Sequence, residues 1–108
     1  MKRGDLVTIA LQGDFGKARL ALVIQANPFS THTSTTVLLM TSKLVFAPLL
    51  RVTVQPSTGN GLQKISQVMV DKAVTVKRQK LGPVFRHMDA EALVEIERCL
   101  AVFLGITK

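Results

Sequence analysis

A small, mainly β domain, curled into a barrel of five to seven short strands and followed by one C-terminal helix, is the fold this sequence predicts. Three observations carry that expectation. Short runs rich in Val, Leu, Ile and Thr recur between turn signals through Val76. Apolar residues take up helical spacing only after Met88. The chain has 108 residues, 47% of them hydrophobic, which suits one domain spanning 1–108 with one core.

The elements follow in order. Gly4 to Leu11 opens on a turn signal and continues Leu6-Val7-Thr8-Ile9-Ala10-Leu11, a strand by its β-branched content. Gln12 to Ala18 contains Gly13-Asp14 and Gly16 and reads as a loop. Arg19 to Ala26 is a strong strand whose near-continuous apolar character implies burial on both faces. Asn27-Pro28 ends it, and Ser30 to Thr35 reads as a polar loop. Thr36 to Thr41 is a third strand, joined by Ser42 to Pro48 to a fourth, Leu49 to Gln55. There Leu50, Val52 and Val54 alternate with Arg51 and Thr53, the pattern of a half-exposed strand. Gly59-Asn60-Gly61 marks a turn, and Val68 to Val70 and Ala73 to Val76 are two further short strands. Lys77 to Arg86 is basic and broken by Gly82-Pro83. Leu93, Ile96, Leu100 and Phe103 then fall on one helical face, with Asp89 as N-cap and Gly105 as the stop.

The charge is polarised along the chain. Residues 1–88 hold 12 basic and 3 acidic side chains, a net of +9. The other acids, Asp89, Glu91, Glu95 and Glu97, gather near the end. A body that basic attracts polyanions, nucleic acid or an acidic protein. No apolar run is long enough to cross a bilayer, and no signal-peptide core follows Met1-Lys2-Arg3, so the expected location is the cytoplasm. The single Cys99 lies among apolar helix residues and reads as core.

The motif inventory excludes several chemistries. There is no CxxC pair, no HExxH, no Walker glycine loop and no GxSxG. His32 and His87 are far apart in sequence and lack obvious metal-ligand neighbours. An enzyme built from this inventory works with Arg, Thr, Ser, Lys and one or two Asp, a set suited to phosphate. Arg presents a fork of donors to phosphate oxygens, and a hydroxyl adds another donor where charge develops.

On these residues the chain resembles the MazF/PemK toxins. Lys2-Arg3-Gly4-Asp5-Leu6-Val7 is similar to their R-G-D/E-I/V opening, and Gly16 to Gln25 to their G-x-x-R-P-A-L-V-I-Q segment. Leu39-Met40-Thr41-Ser42 resembles their strand-ending T-S, and Leu50 to Val54 their F-R-V-x-V strand. Gly61-Leu62 with Ser66 to Asp71 is similar to G-L-x-x-x-S-x-V-L-V-D-Q, and the end resembles their terminal helix. The matches run in order over nearly the whole chain. The resemblance implies an SH3-like, CcdB-like barrel. It implies a homodimeric, metal-independent endoribonuclease without cofactor, which cuts single-stranded RNA at short sequences and is held by an acidic antitoxin. In that chemistry the ribose 2′-hydroxyl attacks the adjacent phosphorus. Arg19 matches the family's catalytic Arg and Thr41 its catalytic Thr; Lys17, Ser42, Asp71 and Lys72 are the further substrate-binding candidates.

The sequence also departs from the family pattern. Leu20 replaces the usual Pro, the loop 12–18 is shorter, Met69 stands where some members place Arg, and Lys72 stands where Gln is usual. Two other readings keep the fold class. One is a non-catalytic nucleic-acid-binding barrel, disfavoured by five Phe and no Tyr or Trp for base stacking. The other is a CcdB-like toxin that binds DNA gyrase, disfavoured by the Arg19 and Thr41 matches.

Overall fold

The computed structural model describes residues 1–11 and 17–107. The Gly13-Asp14 turn and most of the short loop expected around it lie outside the described residues. The described residues form six strands, β1 (Asp5–Ala10), β2 (Ala18–Val23), β3 (Ser34–Thr41), β4 (Arg51–Val54), β5 (Ser66–Lys77) and β6 (Arg86–His87), followed by α1 (Ala90–Phe103). They make one antiparallel sheet in the order β4-β5-β3-β2-β1-β6. The expected class, mainly β with a C-terminal helix, is the observed one.

The sheet is apolar on both faces, as continuous Leu and Val runs require. Leu6, Leu22, Leu38, Val68 and Val70 bury one face together with Ile96, Cys99 and Leu100 of α1. Val7, Ile9, Ala21, Val23, Val37 and Leu39 bury the other, with Val74, Val76 and Leu81 packed beside them. The sheet curls so that its edges meet. The amide of His87 on β6 donates to the carbonyl of Gly59, in the turn that follows β4, at 3.3 Å.

The boundaries that differ most from expectation do so for local reasons. The two short strands expected at 68–70 and 73–76 are one strand, β5. It bends where Asp71 and Lys72 interrupt the apolar run, and its register against β3 shifts between the Leu38–Ala73 and Met40–Val68 pairs. β2 ends at Val23 because the Gln25 side chain takes over the ladder. Its Nε2 donates to the carbonyls of Phe29 and Ser34, and its Oε1 accepts from the amide of Thr36. β3 starts at Ser34, inside the expected polar loop, where Thr35 is buried and Thr36 and Thr75 join hydroxyls at 2.6 Å across the ladder. β4 starts only at Arg51, since Leu50 and Arg51 donate their amides to Ala47 in a turn. β6 carries no sequence signal, being two exposed residues.

The helix buries Ile96, Cys99 and Leu100, while Phe103, expected on the same face, is about half exposed. Gly105 stops it as expected. At φ +74° it lets Gly105 and Ile106 donate to the carbonyls of Val102 and Ala101, the paired bonds of a Schellman ending. Asp89 occupies the N-cap, but its carboxylate makes no capping bond.

Candidate active site

Strand geometry brings the two principal candidates together. The β2–β3 ladder runs from Val23–Val37 to Ala21–Leu39. Beyond it the strands go on with other partners, β2 against β1 back to Ala18 and β3 against β5 out to Thr41. Arg19 and Thr41 stand on these two extensions, and both line one pocket of about 480 Å³. Ser42 joins them there, with Leu20 and Met40 as the apolar wall. The opposite rim is Gly61 to Lys64, and Phe85 closes a further side.

The backbone holds the Thr41 hydroxyl in place. Its Oγ1 accepts a bond from the amide of Lys43 at 3.1 Å, which leaves the hydroxyl proton to donate to an incoming oxygen. The segment after Ser42 is fixed by Gln67, a buried side chain on β5. Gln67 accepts from the amide of Val45 at 3.1 Å and donates to its carbonyl at 3.0 Å, so one carboxamide replaces a strand neighbour.

The rim opposite is built around Asn60, whose side chain is fully buried. Its Oδ1 accepts from the amides of Ser57 and Leu62, and its Nδ2 donates to the carbonyl of Gln55 and to Asp89 Oδ2. All four bonds are made, so the buried amide carries no desolvation penalty. Ser57 Oγ donates to the other Asp89 oxygen at 2.8 Å. The carboxylate that could cap the helix is thus spent on the turn. Gly61 follows with φ +64°, and a Cβ there would come within 2.6 Å of Arg86 Cγ. The sequence marks 59–61 as a turn but does not show that Asn60 fixes it, nor that Gln67 fixes the segment after Ser42; a buried polar side chain leaves no trace in hydropathy.

The other candidates are not in the pocket. Lys17 is exposed and does not line it. Asp71 forms an ion pair with Arg51 of the neighbouring β4, and Lys72 Nζ lies 4.0 Å from the same carboxylate. Both stand at the bend of β5. His87 is paired, its Nδ1 lying 2.9 Å from Asp5 Oδ1. Among the described residues no group of three His, Cys, Asp or Glu side chains could hold a metal ion. Cys99 is buried on the inner face of α1, and that burial, ahead of the nearby Glu95 charge, raises its thiol pKa.

The acids are largely committed. Arg3 Nε donates to Glu97 at 2.7 Å and Arg98 to Glu95 at 2.6 Å. The Arg98 bond holds the Glu95 carboxyl below the usual carboxylate range. Among the described residues no acidic side chain lines the pocket, and the charged groups there are Arg19 and Lys64. A cleft whose described lining holds two cations, three hydroxyls (Thr41, Ser42 and Ser66) and no acid is suited to a phosphodiester.

Comparison with known proteins points the same way. Residues 2–104 match the model of the PemK-like, MazF-like toxins of type II toxin–antitoxin systems. A probable endoribonuclease MazF of Mycolicibacterium smegmatis is 39% identical over 107 residues, covering 98% of each chain. Among solved structures, an endoribonuclease in complex with its cognate antitoxin from a mycobacterial species superposes with a TM-score of 0.82 at 19% identity, covering 100% of this chain and 98% of that one. A MazE–MazF complex from Deinococcus radiodurans gives 0.77 at 23% identity, covering 99% and 97%. The fold and the family match therefore agree, and the chain belongs to the PemK/MazF family of toxins of type II toxin–antitoxin systems.

Proposed function

We propose that the whole chain serves as one toxin domain that cuts single-stranded RNA at short sequences without a metal, with Arg19 and Thr41 as its catalytic residues. Endoribonuclease activity is what the 39% identical relative is named for. The observation that carries the reading is the pocket shared by Arg19, Thr41 and Ser42. RNA supplies its own nucleophile. The 2′-hydroxyl attacks the adjacent phosphorus, its proton leaves, the bond to the 5′-oxygen breaks, and that oxygen takes up a proton. The products are a cyclic phosphate and a 5′-hydroxyl. Arg19 neutralises the charge that builds on the phosphorane and faces the leaving oxygen. Thr41 donates its hydroxyl to a non-bridging oxygen, since Lys43 already occupies its acceptor side. DNA lacks the nucleophile and is bound without being cut.

Lys17 and Lys72 lie outside the pocket and serve a longer stretch of backbone, while Asp71 holds Arg51 rather than substrate. The partners proposed are an acidic antitoxin and a second copy of the chain. Exposed apolar side chains support both: Leu44, Val45, Phe46 and Leu49 on the connection before β4, and Leu104 and Ile106 at the end. The cytoplasm, where RNA is present, is the compartment proposed; among the described residues no helix is long and apolar enough to cross a membrane.

The test is cleavage of a long defined RNA with EDTA present, its products mapped at both new ends. Cutting at short recurrent sequences, with cyclic phosphate ends, is expected. A requirement for Mg²⁺ would remove Arg19 and Thr41 as the main charge stabilisers. Binding without any cut would leave a nucleic-acid-binding barrel instead.

A further inference from the structure

The pocket is larger than its phosphate chemistry needs, and its far rim is made of side chains that the cleavage step does not use. Gln63 and Lys64 form a bend between two pinned points. On one side the amide of Leu62 donates to Asn60 at 2.9 Å, with the Leu62 side chain in the core. On the other, Ser66 Oγ donates to the carbonyl of Lys64 at 3.1 Å, at the first residue of β5. Both side chains between these points are exposed, and none of the hydrogen bonds or ion pairs found among the described residues engages either of them. Such a bend presents side chains whose backbone ordering cost is met on folding, which is what selective recognition requires. Lining the same pocket is Phe85, half-buried against the core and, among the described residues, the one aromatic side chain there.

We propose that this rim is a base-reading subsite. A nucleobase next to the cut phosphate stacks on Phe85, Gln63 reads its edge, and Lys64 contacts a flanking phosphate. This rests on the endoribonuclease reading above. Unpaired RNA bases splay from the backbone, stack on aromatic rings and offer their edges to side-chain amides. A carboxamide carries a donor and an acceptor side by side and so distinguishes base edges, whereas Lys is a point charge that holds phosphate without reading sequence. Arg19 and Thr41 act on the backbone, which is the same for every nucleotide. Sequence preference must come from groups like these.

The experiment maps cut sites on one long defined RNA for wild-type protein, Gln63→Ala, Gln63→Glu and Lys64→Ala. Gln63 and Lys64 are exposed, so the variants should fold as the wild type does, which circular dichroism checks. Gln63→Ala is expected to keep cutting but to lose discrimination at one position beside the cut, by about 10-fold between preferred and non-preferred bases. Gln63→Glu, which only accepts, should move that position toward bases bearing an amino group and away from uracil. Lys64→Ala should weaken all sites evenly and flatten the salt dependence of binding by about one charge. An unchanged ranking of sites in both Gln63 variants overturns the proposal, and so does loss of all cutting by Gln63→Ala, which would make Gln63 part of the chemistry. If the wild type cuts no RNA, the endoribonuclease reading itself fails, a result distinct from either.

Discussion

Arg19 and Thr41 reach the same pocket from different strands, so the two side chains can be removed independently. Arg19→Ala should lower the cleavage rate about 100-fold or more, the scale seen when one preorganised donor to a charged transition state is lost. Thr41→Ala should cost less, because a neutral hydroxyl contributes one uncharged donor. Neither is a core residue, so thermal unfolding should shift little; single-turnover rates beside melting curves make the check. Wild-type rates in both would move the active site elsewhere within the same family. The sequence singled out these two and Ser42 by their place in ordered motifs. Gln63, Lys64 and Phe85 were illegible there, because they belong to the pocket only through the turn that Asn60 builds. Asp71 and Lys72 stand apart from the pocket for the converse reason: they follow the Ser66 to Val70 run in sequence, but on folding they mark the bend of β5, where Asp71 pairs with Arg51 and Lys72 lies beside Asp71.

At the scale of elements, the rim and the helix start are one unit. Asp89 accepts from Asn60 and Ser57, and its own carbonyl accepts the first helical bond, from Leu93 at 2.9 Å. Asn60→Ala strands the amides of Ser57 and Leu62 and removes a donor from Gln55 and Asp89. The cost should be about 2–3 kcal/mol, more than one ordinary hydrogen bond, because buried partners are left unmet. Denaturant unfolding measures it. The same variant should raise KM for RNA more than it lowers kcat, since the rim loosens while Arg19 and Thr41 stay put. A variant as stable as wild type would mean that water replaces the amide. Strand identity was readable from β-branched runs, and the helix from its period. The ends of the elements were not. A Gln side chain ends β2, a threonine pair extends β3, and β6 exists only because β1 offers it an edge. Long-range pairing of this kind has no local signature.

Over the whole molecule the electrostatics are one-sided. Of the acids on the C-terminal helix, Glu95 pairs with Arg98 of the same helix and Glu97 offsets one cation of residues 1–88, Arg3, so most of the +9 carried by residues 1–88 remains and the chain keeps a net +7. RNA and an acidic antitoxin tail would seek the same surface, and the exposed apolar groups around Phe46, itself 96% exposed, offer the tail contacts that RNA does not use. A tail that orders on binding wraps a large area at an entropic cost, so its attachment should depend on both charge and apolar burial. The expected outcome is competition. RNA bound to inactive Arg19→Ala protein should be displaced by antitoxin, and the reverse should hold at high RNA. Raising salt should weaken RNA more steeply than antitoxin, because RNA binding gains mainly from released counterions and the apolar contacts of the tail are insensitive to them. Fluorescence anisotropy of labelled RNA, titrated with antitoxin at several salt concentrations, reads both effects. If RNA and antitoxin bind together without mutual weakening, the inhibitor leaves the pocket open, and inhibition must instead reach Arg19 and Thr41 through a change in how two copies of the chain are held.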